Sequence, residues 1–283
     1  MALLAVIFDF DDTLLPDSTS ALLQEHGLKP DEFWSIRVKR LVDQGYDPPL
    51  AYLNLLLHEV SPDKALANLT NQKLAEFGAT LDDTWFPGLP DLFDGLRSIA
   101  SNHRDVSIEF YIISGGLQPI IEGSDHVKRN FSSVYGCQFG EDPNTGIVSD
   151  IRRCVTFTEK TRYLFEINKG IRSSEAATKP HLVNELIPEQ DRPIPFENMI
   201  YVGDGLTDIP CFSLVEKSGG IAFGVFKAGE ESAKQAFQRF LETKRVRSMH
   251  HPEYGEDAEL GSMLRAAVAT VCSNIMIRNA RAL

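Results

Sequence analysis

The sequence predicts an α/β protein: a doubly wound parallel sheet with a helical cap domain inserted after its first strand. Three observations carry this. Three short apolar runs, Leu3 to Phe10, Phe110 to Ile113 and Met199 to Val202, have the composition of strands buried on both faces, and each ends in polar residues. Segments of helical periodicity separate them, which is the alternation that winds a parallel sheet. The excursion from Asp17 to Trp85 is far too long for a strand-to-helix connection and carries helical spacing at Leu50, Leu53, Leu56 and Leu57.

Taken in order, Met1 to Phe10 is apolar but lacks a basic flank and a small-residue cleavage site, so it reads as a buried strand and not as a signal peptide. The cap is expected over residues 17–85 and the core over 1–16 and 86–283, a division that suits a chain of 283 residues. The Phe86-Pro87-Gly88 turn closes the cap, and Leu89 to Ala100 reads as a core helix with Leu92, Phe93, Leu96 and Ile99 on one face. Between Tyr135 and Phe157, the turn sequence Pro143-Asn144-Thr145-Gly146 separates two β-prone segments and predicts a hairpin. A helical pattern follows from Thr161 to Asn168, a further strand is expected over Gly219 to Val225, and the tail from Glu230 alternates charged and apolar residues at helical spacing.

Composition narrows the functional classes. With 43% hydrophobic and 24% charged residues, neither disorder nor a membrane class is favoured. A formal net charge of −12 argues against sequence-independent nucleic-acid binding, which depends on Lys and Arg neutralising phosphates. No uninterrupted apolar run reaches the roughly 20 residues of a membrane helix, since Arg265, Ser273 and Asn274 interrupt Leu260 to Ile277. No membrane partner is expected, and the expected location is cytoplasmic. Cys137, Cys154, Cys211 and Cys272 form no CxxC pair, so they read as thiols and not as disulfides or a zinc site. His250 and His251 before Pro252 read as a surface loop.

Ligands of open α/β sheets bind beyond the carboxyl ends of the strands, so the polar residues ending the three runs are expected to converge. Asp9 and Asp11 stand two apart at the first strand end, and Asp204 and Asp208 follow the third within Gly203-Asp204-Gly205-Leu206-Thr207-Asp208. Two acidic strand ends suggest a hard-cation site, and Mg²⁺ is commonly held by one or two carboxylates together with a substrate phosphate. Ser114-Gly115-Gly116 offers a hydroxyl and free backbone N–H groups that suit phosphate oxygens, in a nest at a helix start. A lysine balancing nucleophile and phosphate is expected at Lys160, with Lys179 as the competitor. In the cap, Arg37, Lys39 and Arg40 read as a solvated helix face or as contacts for a second anionic group.

In combination these motifs resemble the haloacid dehalogenase-like (HAD) superfamily, whose four motifs run in order as DxDxT, a strand-terminal Ser or Thr, a Lys, and an acidic GDxxxD. All four occur between Val6 and Val225. The resemblance implies a Rossmannoid core, a Mg²⁺ cofactor and a phosphatase acting on a small phosphorylated metabolite. It implies Asp9 as the nucleophile that forms an aspartyl-phosphate, and Asp11 as general acid/base. Thr13, Ser114, Gly115 and Lys160 would contact the substrate phosphate. Asp9, Asp204 and the Asp11 carbonyl would hold the metal, with Asp208 as a further ligand or orienter. A phosphotransferase or phosphomutase would also retain Asp11, and a non-catalytic phosphate-binding regulator on the same fold is the rival from a different class. The likeness extends to the phosphoserine-phosphatase-like members, through Ser114-Gly115-Gly116, the hairpin before Lys160 and Gly203-Asp204-Gly205. Those members carry a substrate-reading Glu where this chain has Ser18, which argues against phosphoserine as the substrate.

Overall fold

A computed structural model describes residues 2–227, 238 and 245–281. Among them a seven-stranded sheet comprises β1 (Ala2–Phe8), β2 (Val106–Leu117), β3 (Ser133–Glu141), β4 (Val148–Arg153), β5 (Met199–Gly203), β6 (Ile221–Val225) and β7 (Ser248–His250). The spatial order is β4-β3-β2-β1-β5-β6-β7. Every neighbouring pair is parallel except β3 with β4, the expected hairpin. In its turn, the Asp142 carboxylate accepts from the backbone N–H groups of Asn144 and Thr145, and Gly146 takes the left-handed φ of 70° that closes it. Helices flank the sheet, and β1, at its centre, has Leu4 to Phe8 fully buried. The Phe8 ring meets Phe93, Phe131 and Tyr254 edge-on at 6.1, 6.2 and 6.4 Å.

The segment after β1 is helical: α1 (Ser18–Glu25), α2 (Pro30–Glu32), α3 (Lys39–Asp43), α4 (Pro48–His58) and α5 (Asn71–Ala79), with a π-helical stretch over Phe33–Val38 joining α2 to α3. Its apolar residues, among them Leu22, Phe33, Leu53, Leu56 and Phe77, belong to the same buried cluster as β1. The chain then forms α6 (Asp91–Ser101), α7 (Gln118–Gly123), α8 (Asp125–Asn130), α9 (Phe157–Asn168), α10 (Ser173–Thr178), α11 (Ile209–Lys217) and α12 (Glu259–Arg281).

The end of the cap segment is pinned to the core. A Cβ on Gly78 of α5 would stand 1.9 Å from the carbonyl oxygen of Ile120 in α7, and one on Gly123 of α7 would stand 2.0 Å from that of Ala75. Only glycine at both positions lets these helices approach so closely. Leu69 accepts a backbone hydrogen bond from Val148 of β4 at 2.9 Å, and Asn71 donates its backbone N–H to Glu141 at 2.7 Å.

Several expectations change. The second strand starts at Val106 and continues past Ile113 to Leu117, with a register shift between them, so Ser114-Gly115-Gly116 belongs to an irregular strand end and the helix begins only at Gln118. The nest at a helix start is therefore not formed. His250 is not in a surface loop. It closes β7 and is 3% exposed, with Nε2 2.6 Å from the Ser248 hydroxyl. Of the tail from Glu230, residues 230–237 and 239–244 lie outside the described residues, whereas α12 is helical as its pattern predicts. Glu259–Ala280 is long and apolar enough, by length and composition, to cross a membrane, with a mean hydropathy of 1.4. In the structure α12 packs on α6 and β1, with Leu260, Leu264, Val268, Val271 and Ile275 buried, as in the core helix of a globular protein.

Candidate active site

Asp9 follows β1 directly. Its N–H extends the pairing by donating to Val202 of β5 at 2.9 Å, and its Oδ1 accepts from the Phe10 N–H at 2.7 Å. The chain then turns: Leu14 N–H donates to Phe10 at 2.8 Å, Asp12 N–H donates to Leu15 at 2.7 Å, and Asp12 adopts a φ of 56°. Asp is one of the few residues with a side chain that visits that region readily. The turn returns Asp11 to the same pocket as Asp9, where its Oδ1 accepts from the Ser18 N–H at 2.7 Å. Burial, with repulsion from Asp17, pushes the Asp11 carboxyl well above the usual carboxylate range.

Lys160, in the first turn of α9, is fully buried. Its Nζ lies 2.7 Å from Asp9 Oδ2 and 2.8 Å from Asp208 Oδ1. Burial alone would depress its ammonium, but Asp208 and Asp9 outweigh burial and hold it above its ordinary value. Asp208 has both oxygens engaged, Oδ1 also accepting from the Tyr201 hydroxyl at 2.7 Å and Oδ2 from the Gly205 N–H at 2.9 Å. Burial pushes its carboxyl up to about 6, Lys160 pulling the other way and Asp9 adding to the rise. Asp204 differs: among the described residues its carboxylate receives no hydrogen bond, and burial together with Asp9 and Asp208 pushes it well above the usual range. One carboxylate oxygen from each of Asp9, Asp204 and Asp208 lies within 4.8 Å of the others. An oxygen-only donor set with uncompensated negative charge fits a hard divalent cation.

Ser114 sits opposite. Its Oγ accepts from the Gly116 N–H at 3.0 Å, and a Cβ on Gly116 would stand 2.4 Å from Asp11 Oδ2. The Gly115 carbonyl accepts from the Tyr52 hydroxyl of the cap at 2.6 Å and from the Cys137 thiol at 3.2 Å. These groups border a pocket of about 300 Å³ lined below by Asp9, Asp11, Ser114, Gly115, Gly116 and Asp204. Its cap side is lined by Trp34, Val38, Pro48, Pro49 and Tyr52, with Asp17 at the side.

The structure thus gathers the expected Asp9, Asp11, Ser114, Gly115 and Asp204 around one pocket, with Lys160 and Asp208 buried beneath it. Of the two candidate lysines, Lys160 lies beneath the pocket and Lys179 is exposed at the end of α10. Thr13 does not line the pocket. Its side chain is fully buried with an unbonded hydroxyl, and its carbonyl accepts from Tyr254 at 2.7 Å. Arg37 pairs with Glu59 at 2.6 Å and Lys39 with Asp43 at 2.7 Å, Arg40 is exposed, and none of the three reaches the pocket. Trp34, Tyr52, Asp17 and Tyr201 were not anticipated. Tyr201 carries a faint signal, as the one polar tip within an otherwise apolar strand run.

The family model of haloacid dehalogenase-like hydrolases matches residues 6–213, and the chain belongs to that family. An uncharacterised protein of Borreliella burgdorferi is 30% identical over 261 residues, covering 83% of this chain and 87% of its own length. A HAD family hydrolase from Salmonella enterica serovar Typhi aligns with a TM-score of 0.55 at 17% identity, over 88% of this chain and 67% of the other. That likeness is one of fold.

Proposed function

We propose that this chain is a Mg²⁺-dependent phosphatase that hydrolyses a small phosphomonoester through an aspartyl-phosphate on Asp9. The observation that carries the reading is the buried Lys160 ammonium holding one oxygen of Asp9 at 2.7 Å, with Asp11 and Ser114 on the same pocket. Lys160 fixes the Asp9 carboxylate and places positive charge where the equatorial phosphate oxygens carry negative charge. The Asp9 carboxylate attacks phosphorus in line with the leaving alcohol. Asp11, whose carboxyl holds a proton more tightly than usual, gives that proton to the leaving oxygen and later takes one from the water that attacks the acyl-phosphate. The Ser114 hydroxyl donates to a phosphate oxygen while its own oxygen keeps the Gly116 N–H. Asp208 keeps Lys160 in place. A divalent cation held by Asp9 and Asp204 would neutralise the negative charge of carboxylates and phosphate.

The test is steady-state phosphate release from 4-nitrophenyl phosphate and a panel of phosphorylated metabolites, with Mg²⁺ or EDTA. Metal-dependent turnover by the wild type, lost by at least about 1,000-fold in Asp9→Asn, is the expected result. Transfer to an added alcohol exceeding hydrolysis would instead mark a phosphotransferase. Phosphate binding without turnover, unchanged in Asp9→Asn, would mark a regulator.

A further inference from the structure

The wall that faces the leaving group has a chemistry that a phosphate does not require. Trp34 and Tyr52 meet at a ring separation of 5.5 Å and an angle of 54°, forming an aromatic corner in the pocket. The polar tip of each is engaged elsewhere: the Trp34 indole N–H donates to Ser20 Oγ at 2.9 Å, and the Tyr52 hydroxyl donates to the Gly115 carbonyl at 2.6 Å. What remains for a ligand is ring surface, extended by Val38 and Pro48. Ring faces are electron-rich and attract cations.

The charged side chains that line the pocket are all carboxylates. Asp17 lines the pocket, its Oδ1 capping α1 by accepting from the Ser20 N–H at 2.5 Å. Burial, opposed by the Ser20 hydrogen bonding and by Lys227 and reinforced by Asp12, leaves the Asp17 carboxyl above its ordinary value. Among the described residues no Lys or Arg lines the pocket, and of the cap cations Arg37 is paired with Glu59 and Lys39 with Asp43. Lys227 bonds Asp12 at 2.7 Å and also draws on Asp17 electrostatically, with no ion pair between those two among the described residues. A substrate with a carboxylate or second phosphate on its alcohol would meet repulsion here.

We propose that the alcohol of the substrate carries an ammonium group, recognised by the rings of Trp34 and Tyr52 and by the Asp17 carboxylate. This rests on the phosphatase reading above. The volume of about 300 Å³ is at the small end for ligand pockets, which limits the alcohol to a few carbons.

The experiment compares kcat/KM of the full chain with Mg²⁺ for phosphocholine, phosphoethanolamine, phosphoserine and 3,3-dimethylbutyl phosphate, the uncharged isostere of phosphocholine. The Asp9→Asn variant is the blank, and 4-nitrophenyl phosphate reports the chemistry. A cationic ester is expected to exceed the isostere by about tenfold or more, mainly through KM. Asp17→Asn, which keeps an acceptor for the α1 cap, is expected to bring that ratio towards one, and Trp34→Leu to do the same. Asp9-dependent hydrolysis of 4-nitrophenyl phosphate with the isostere equal to or better than both cationic esters overturns the inference and leaves the phosphatase reading standing. No turnover of any ester by folded protein overturns both.

Discussion

At the residue scale, Gly116 separates catalytic geometry from stability. Its φ is not in the left-handed region, so alanine there would be unstrained in the backbone, yet the added Cβ would stand 2.4 Å from Asp11 Oδ2 and 3.3 Å from Ser114 Oγ. Something must move, and the Asp11 carboxylate is a freer object than strand backbone. Gly116→Ala is expected to lower kcat by about 100-fold, the scale set by a displacement near 1 Å, while unfolding free energy changes by less than about 1 kcal/mol. Parallel kinetics and urea denaturation check it, and an unfolded or fully active variant would contradict it. The acids were legible because they recur in pairs at two strand ends, the second pair beside glycines. Thr13 was misplaced because the DxDxT pattern fixes spacing and not direction: the turn after Phe10 rotates its side chain inward and turns its carbonyl towards Tyr254. The aromatic corner had no signal, since Trp34 and Tyr52 are 18 positions apart and meet only through the packing of α4 against the π-helical stretch.

At the element scale, the contact between α5 and α7 decides how the cap is carried. Alanine normally stabilises a helix interior by up to about 1 kcal/mol over glycine. At Gly78 the opposing effect wins, because the new methyl would lie 1.9 Å from the Ile120 carbonyl oxygen, an atom fixed in another helix. Gly78→Ala is expected to cost about 1–3 kcal/mol, the range for overpacking. Chemical denaturation measures it, and a variant as stable as the wild type would show that the helices separate at no cost. The β3–β4 hairpin, β1, β5 and α6 were legible from apolar periodicity and turn residues. β7 was not: three residues whose burial comes from pairing with β6 leave no pattern of their own. Nor was the extension of β2 through two glycines, which look like a break until parallel pairing with β3 resumes at Leu117.

At the scale of the molecule, the site gathers more negative than positive charge. Asp9, Asp11, Asp204 and Asp208 stand around one buried ammonium, so a cation that binds the folded state alone should stabilise it. Mg²⁺ at about 100 times its dissociation constant is expected to raise Tm by about 5–10 °C, the equivalent of about 2.7 kcal/mol in a chain of this size. Asp204→Asn should remove that shift. A thermal scan with and without EDTA checks both, and a wild-type Tm indifferent to Mg²⁺ would argue against a cation at this cluster.

The convergence of the acids followed from the doubly wound pattern, because the carboxyl ends of parallel strands share one edge of the sheet. The role of the chain beyond residue 213 did not. Tyr254 donates its hydroxyl to the Thr13 carbonyl and its N–H to Pro87, each at 2.7 Å, and its ring packs on Phe8, the last residue of β1. Gly88 fits because Gly255 runs against it, at 2.1 Å from where a Cβ would be. The family pattern ends at residue 213, yet the bend that presents Asp9 and Asp11 is braced from 241 positions further along the chain than Thr13. The part of the chain that the family pattern covers and the part that is mechanically self-sufficient therefore have different borders. A fragment cut where the shared pattern stops would keep every acid and lose the brace that aims two of them.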